Sequence, residues 1–69
     1  MLSPGQLRNL PIEQQIQYVW QYGKFIDSKL QGKTTINMYW MDKYYAELVY
    51  DTASNCVEKI VLKEAFHDN

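Results

Sequence analysis

The chain has one cysteine, one histidine, two prolines and three glycines in 69 residues, and each scarcity excludes something. Cys56 has no second cysteine for an intramolecular disulfide, and its neighbours Asn55 and Val57 form no metal-ligand spacing. Small oxidised scaffolds carry several cysteines, so the expected compartment is the cytoplasm. So little glycine and proline, beside 14% aromatic residues, argues against a wholly disordered chain. No apolar run approaches the roughly 18–20 residues that span a bilayer. Met1-Leu2-Ser3-Pro4-Gly5 lacks the basic and apolar segments of a secretory signal, so no membrane partner is expected. Basic runs are also missing: seven Lys and Arg stand against eight Asp and Glu, a net charge of −1. That balance supplies no overall drive toward phosphate backbones. No internal repeat or low-complexity segment occurs.

A chain this short buries only about 60% of the surface that its unfolded form exposes. It has room for one domain with a thin core, and none for an enclosed cofactor cavity; no cofactor and no metal are expected. Residues 1–10 read as a lead-in, 11–23 as a helix, 24–66 as an antiparallel sheet and 67–69 as a tail. In the lead-in, Ser3-Pro4-Gly5-Gln6 has the outline of a short helix start: a capping serine, proline next, and glutamine three residues after the cap. Pro11 is placed to open the main helix. Ile12, Ile16, Val19 and Trp20 follow helical spacing, with Glu13, Gln14, Gln17 and Gln21 opposite. Gly23 is expected to stop this helix in a left-handed conformation. About three turns do not hold alone, so the helix needs a sheet to dock on.

Beta-branched and aromatic residues rise after Gly23, and the pattern predicts strands over residues 24–30, 34–40, 44–50 and 56–64. The connections are short enough for hairpins, so the expected fold is α+β, an N-terminal helix on one face of a four-stranded antiparallel meander. Loops of three, three and five residues set the faces, because a one-residue shift turns a strand over. They place Ile26, Leu30, Ile36, Met38, Trp40, Tyr44, Ala46, Leu48, Tyr50, Ile60 and Leu62 toward the helix. Even-numbered loops would set Asn37 beside Leu48 and Glu47 beside Met38, which separates polar from apolar less well.

The opposite face then carries Phe25, Tyr39, Tyr45, Val49, Val57 and Val61 among Asp27, Lys29, Glu47, Lys59 and Lys63, with no second helix left to cover it. Three readings compete. The face is simply solvated, its aromatics making cross-strand pairs of about 0.2–1 kcal/mol each. Alternatively it binds protein, most simply a second copy in a twofold homodimer, through the face or an edge strand. Phe25, Tyr39, Tyr45, Val49 and Val61 are then the partner-binding residues, since mixed tyrosine-rich surfaces suit interfaces. In the third reading Phe25, Tyr39 and Tyr45 stack on single-stranded nucleic acid beside Lys29, Lys59 and Lys63. Asp27 and Glu47 repel that backbone, and no glycine-aromatic RNA-binding motif occurs.

Candidate chemistry is thin. His67 lies two residues from the C-terminus with nothing fixed to orient it. Cys56 reads as a small buried hydrophobe rather than a nucleophile. Asp27 and Glu47 share a face, but a strand between them keeps their backbones roughly 9–10 Å apart. No phosphate-binding glycine loop, nucleophile elbow or H-E-x-x-H sequence is present. No catalytic residue is assigned, and the chain is read as a non-enzyme.

The run Leu10-Pro11-Ile12-Glu13-Gln14-Gln15, then Val19-Trp20 and Gly23-Lys24-Phe25-Ile26, resembles the opening of a group of very short uncharacterised bacterial proteins. Tyr44-Tyr45-Ala46-Glu47-Leu48-Val49-Tyr50-Asp51, followed by Asn55 and a last strand, resembles their second half. The likeness runs from about Leu10 to Phe66 and rests on structural positions. It implies a bacterial, cytoplasmic, compact α+β protein, and carries no activity or catalytic residue with it. The functional expectation is a non-enzymatic interaction module that forms a homodimer or binds another protein. The alternatives are the nucleic-acid platform and an antitoxin-like or inhibitor-like regulatory partner.

Overall fold

In the computed structural model, which describes residues 1–64, two helices precede a four-stranded antiparallel sheet. The elements are α1 (Pro4–Arg8), α2 (Ile12–Tyr22), β1 (Lys24–Gln31), β2 (Thr34–Trp40), β3 (Tyr44–Asp51) and β4 (Cys56–Glu64). The strands lie in the order β1-β2-β3-β4, so the fold is an α+β meander with the helices before the strands. The last two residues of the expected sheet and the tail with His67 lie outside the described residues.

The lead-in is itself structured. The Ser3 hydroxyl accepts from the Gln6 N–H at 3.2 Å, and the Gln6 side-chain oxygen accepts from the Ser3 N–H at 2.9 Å. This reciprocal cap satisfies two donors that a helix start leaves open. At the other end, Gln15 Nε2 donates to the carbonyls of Leu10 at 2.7 Å and Arg8 at 3.3 Å. Clamped at both ends, the five-residue α1 delivers Leu7 to the core with no exposed surface. Leu2 is gripped as well: its N–H donates to the Tyr18 hydroxyl and its carbonyl accepts from the Tyr44 hydroxyl, each at 2.7 Å.

Pro11 caps α2 rather than opening it, with ψ 150°. Gly23 ends the helix in an extended conformation, φ −81° and ψ 153°, and not in the left-handed one expected. The glycine answers a close approach instead. A Cβ there would stand 2.6 Å from the Val19 carbonyl oxygen and 2.8 Å from the Met41 sulfur. The buried core comprises Leu7, Val19, Met41, Tyr44, Ala46 and Leu48, with Ile60 and Leu62 packed against it. The helical layer therefore sits over β3 and β4.

Register corrects the expected faces. Gln31 pairs with Thr34 across a two-residue turn, Gly32-Lys33, in which Gly32 has φ +58°. Positive φ at the first turn position only is the pattern of a II′ hairpin. The Met41 N–H donates to the Tyr44 carbonyl at 2.7 Å, closing a second two-residue turn at Asp42-Lys43, with Asp42 at φ 78°. Both hairpins are even, so β2 is turned over relative to the expectation. Tyr39 pairs with Ala46 and Asn37 with Leu48 on the helical side, while Ile36, Met38 and Trp40 fall on the uncovered face. Asn37 is tolerated there because the Ser28 hydroxyl donates to its side-chain oxygen at 2.6 Å.

Two bulges complete the register. Phe25 pairs with Tyr39 but Asp27 with Met38, which leaves Ile26 as the extra residue of β1. Phe25 therefore lies on the helical side, against expectation, while Asp27 and Lys29 stay on the uncovered face. In β4, Val57 pairs with Tyr50 and Lys59 with Val49, so Glu58 is extra and Val57 joins the helical side. Beyond that bulge, Ile60 pairs with Leu48 and Leu62 with Ala46, which keeps both on the helical side, the side expected for them.

Candidate interaction surface

The uncovered face is a grid. Asp27, Met38, Glu47 and Val61 form one row, and Lys29, Ile36, Val49 and Lys59 the next. Trp40 and Tyr45 stand at one end, ring centroids 4.8 Å apart and tilted by 58°. These apolar groups largely cover one another: Val49 is 6% exposed, and Ile36, Met38, Trp40, Tyr45 and Val61 are half-buried. In their midst Glu47, 8% exposed, is held by Lys63, whose Nζ lies 3.2 Å from the carboxylate. Two adjoining hollows of about 250 and 330 Å³ share Gln31, Ile36 and Glu47. Charges punctuate their walls, unlike the mainly apolar lining of ligand pockets.

Apolar exposure is concentrated elsewhere. Among the described residues, and apart from Met1 and Ile12, the large exposed apolar side chains are Trp20 (55%), Tyr22, Phe25, Ile26 and Leu30 (72%). They run from the last turn of α2 into β1, whose eight residues are all exposed. The cause is geometric. An eleven-residue helix spans about 16 Å, and its docking over β3 and β4 leaves β1 bare.

The free backbone groups of β1 can be assigned by parity. The Thr52 N–H donates to the Lys33 carbonyl at 2.9 Å, which extends the β2–β3 ladder by one hydrogen-bonded pair. Such pairs alternate along an antiparallel ladder, so the odd-numbered residues of β2 bond β3 and the even-numbered ones bond β1. Thr34, Ile36 and Met38 thereby engage Gln31, Lys29 and Asp27. Ser28 and Leu30 turn their N–H and C=O groups to the open edge. The Ser28 N–H is met there by its neighbour's side chain, the Asp27 carboxylate accepting it at 2.8 Å.

Of the residues expected to bind a partner, Tyr45, Val49 and Val61 share the uncovered face. Phe25 and Tyr39 sit together on the other, edge to face with centroids 5.7 Å apart. The stacking trio of the nucleic-acid reading is thus split by the sheet, with Lys29, Lys59 and Lys63 left beside Tyr45 alone. Cys56 is exposed rather than buried, its sulfur 3.5 Å from the Ser54 carbonyl oxygen. The sequence reading missed Trp20, Tyr22, Ile26 and Leu30 as surface groups. The signal for them was Gly23 itself: a single connecting residue makes β1 start where α2 stops, so the helix cannot run back over it.

Burial raises the Tyr39 hydroxyl above its ordinary pKa of 10.0, and the Tyr50 phenol nearby adds to the shift, against an opposing hydrogen bond with Trp20. Tyr44 is raised too, by burial first and then by Tyr18. Both phenols ionise more readily in the unfolded chain. Their stabilisation is full below pH of about 10 and is lost as pH rises through the higher folded values. Denaturant midpoints are therefore expected to stay level from neutral pH to about 9 and to fall beyond 10. A Tyr44→Phe variant should show a shallower fall.

Comparison with models of known protein families, with curated proteins and with solved structures finds no match to this chain.

Proposed function

We propose that the chain is a non-enzymatic, self-associating interaction module and that a second copy binds at the β1 edge. The observation that carries this is β1 itself, eight residues exposed throughout, with its own Phe25 and Leu30 and the neighbouring Trp20 each more than half exposed. Proteins that stay monomeric commonly cover such an edge or shorten it. The uncovered sheet face is the weaker surface, because its apolar residues already shelter one another. The proposal keeps the bacterial, cytoplasmic setting that the resemblance to short bacterial proteins implies.

Sedimentation velocity over roughly 1 to 300 µM tests the proposal, a range that brackets weak and moderate dimers. The expected result is a mass rising toward twice that of one chain. Leu30→Glu, a change at an exposed position, should return the protein to single chains without altering its thermal unfolding at concentrations where the parent is itself a single chain. A single-chain mass throughout, or a dimer indifferent to Leu30→Glu, would contradict it.

A further inference from the structure

We infer that the second copy adds to β1 antiparallel about a twofold axis at Ser28, so that Asp27 faces the partner's Lys29 and the two sheets continue as one of eight strands. This rests on the self-association proposed above and names its geometry. Ser28 and Leu30 present their backbone groups to the edge. A twofold pairing must match edge-facing residues with edge-facing residues, which excludes every register centred between two residues.

Among the remaining registers, charge decides. Centring on Asp27 sets that carboxylate against its own copy, and centring on Lys29 does the same with the ammonium group; like charges directly opposite are destabilising. Centring on Leu30 shortens the overlap and runs into the Gly32-Lys33 turn, and centring on Ile26 sets the axis on the bulge, where the ladder is broken. Centring on Ser28 satisfies all the side chains together. Asp27 meets the partner's Lys29 twice over by symmetry, and each Leu30 lies beside the partner's bulge at Ile26. Asp27 and Lys29 both lie on the uncovered face, with Met38 and Ile36 as neighbours, so each pair forms on one side of the joined sheet.

The other side fits as well. An axis perpendicular to the sheet keeps both helical layers on the same side. Trp20, Phe25 and Leu30 of each copy, all more than half exposed in the single chain, then border one cleft above the junction. In the single chain the Asp27 carboxylate closes the edge by accepting the Ser28 N–H. On pairing, that N–H passes to the partner's Ser28 carbonyl and the carboxylate turns to the partner's Lys29. A strand with no cation at that position leaves the carboxylate on the N–H, and the edge stays closed to it.

The test is a charge swap read by sedimentation equilibrium. Asp27→Lys and Lys29→Asp are each expected to weaken the dimer about tenfold, since each turns two attractive contacts into repulsive ones. The double swap Asp27→Lys/Lys29→Asp should restore affinity to within about threefold of the starting protein. Ser28→Cys in a Cys56→Ser background should form a covalent dimer on oxidation, because directly opposed residues stand about 5.5 Å apart, within disulfide reach. A dimer that survives the single swaps, or is not rescued by the double, and stays uncross-linked would overturn this pairing while leaving self-association intact. A chain that never dimerises overturns both.

Discussion

Leu7→Ala is expected to remove about 3 kcal/mol of folding stability, although the residue lies in a segment that sequence pattern assigns to a lead-in. Leucine-to-alanine changes at fully buried sites cost about 2–5 kcal/mol, through lost transfer energy and the cavity left behind. Leu7 has no exposed surface and packs in the cluster of Val19, Met41, Tyr44, Ala46 and Leu48. A domain of this size has a total stability on the order of 3–10 kcal/mol, so the variant loses about a third or more of it. The cavity would not collapse easily. The reciprocal Ser3–Gln6 cap holds α1 at one end, Gln15 holds it at the other, and Leu2 is fastened to Tyr18 and Tyr44. Urea titration followed by circular dichroism measures the effect, with Leu10→Ala, at a half-buried position, as the milder control. A loss under about 1 kcal/mol at Leu7 would mean that α1 is not part of the core.

The second large effect is expected at Gly23→Ala, where two opposing terms can be weighed. Replacing glycine by alanine at a compatible backbone position stabilises by about 0.4–1 kcal/mol, because the unfolded chain loses freedom. Gly23 has φ −81°, so alanine meets no backbone strain there. Space decides the sign. The new methyl would lie 2.6 Å from the Val19 carbonyl oxygen, an atom fixed by α2 and by accepting the Gly23 N–H at 2.8 Å. On another side stands the fully buried Met41 sulfur at 2.8 Å. Overpacking of this kind costs about 1–3 kcal/mol and occasionally more, so the net expectation is a loss of about 2 kcal/mol. In a Met41→Ala background the same change should cost less, because one of the two obstacles is gone. A Gly23→Ala protein as stable as its parent would show that α2 and the β2–β3 turn do not approach as described.

Much of the architecture was legible in the chain. The helix, the four strands and their order follow from period and turn residues, and strand ends differ by one residue where they differ at all. The capping box was readable from Ser3 and Gln6. Faces were harder, because parity depends on single residues. Both hairpins flanking β2 close with two turn residues rather than three, and one of them places a non-glycine, Asp42, at positive φ. Separation of polar from apolar residues gave the wrong side for β2, since Asn37 is satisfied by Ser28 and Glu47 by Lys63. For β3, and for β4 from Lys59 onward, the expected faces agree with the structure through cancellation: the loop is one residue shorter than expected, which turns Val57 over, and the bulge at Glu58 restores the parity.

The same shift moved the candidate surface. The uncovered face gained Ile36, Met38 and Trp40 and lost Phe25, Tyr39 and Val57, yet those additions shelter each other. The exposed apolar groups instead follow the chain from Trp20 to Leu30. Sequence could not place them there, because the extent of helical cover depends on where α2 docks, and docking is set by Leu7 and the tyrosine clamps on Leu2.

Amide hydrogen exchange of β1, followed as protein concentration is raised, tests the proposed edge most directly. The N–H groups of Ser28 and Leu30 face outward in the single chain, so only a neighbouring strand protects them strongly. The account predicts that their exchange slows as dimer forms, while Lys29, bonded inward to β2, keeps its protection at every concentration. Unchanged, rapid exchange at Ser28 and Leu30 in samples that are demonstrably dimeric would place the contact elsewhere on the molecule.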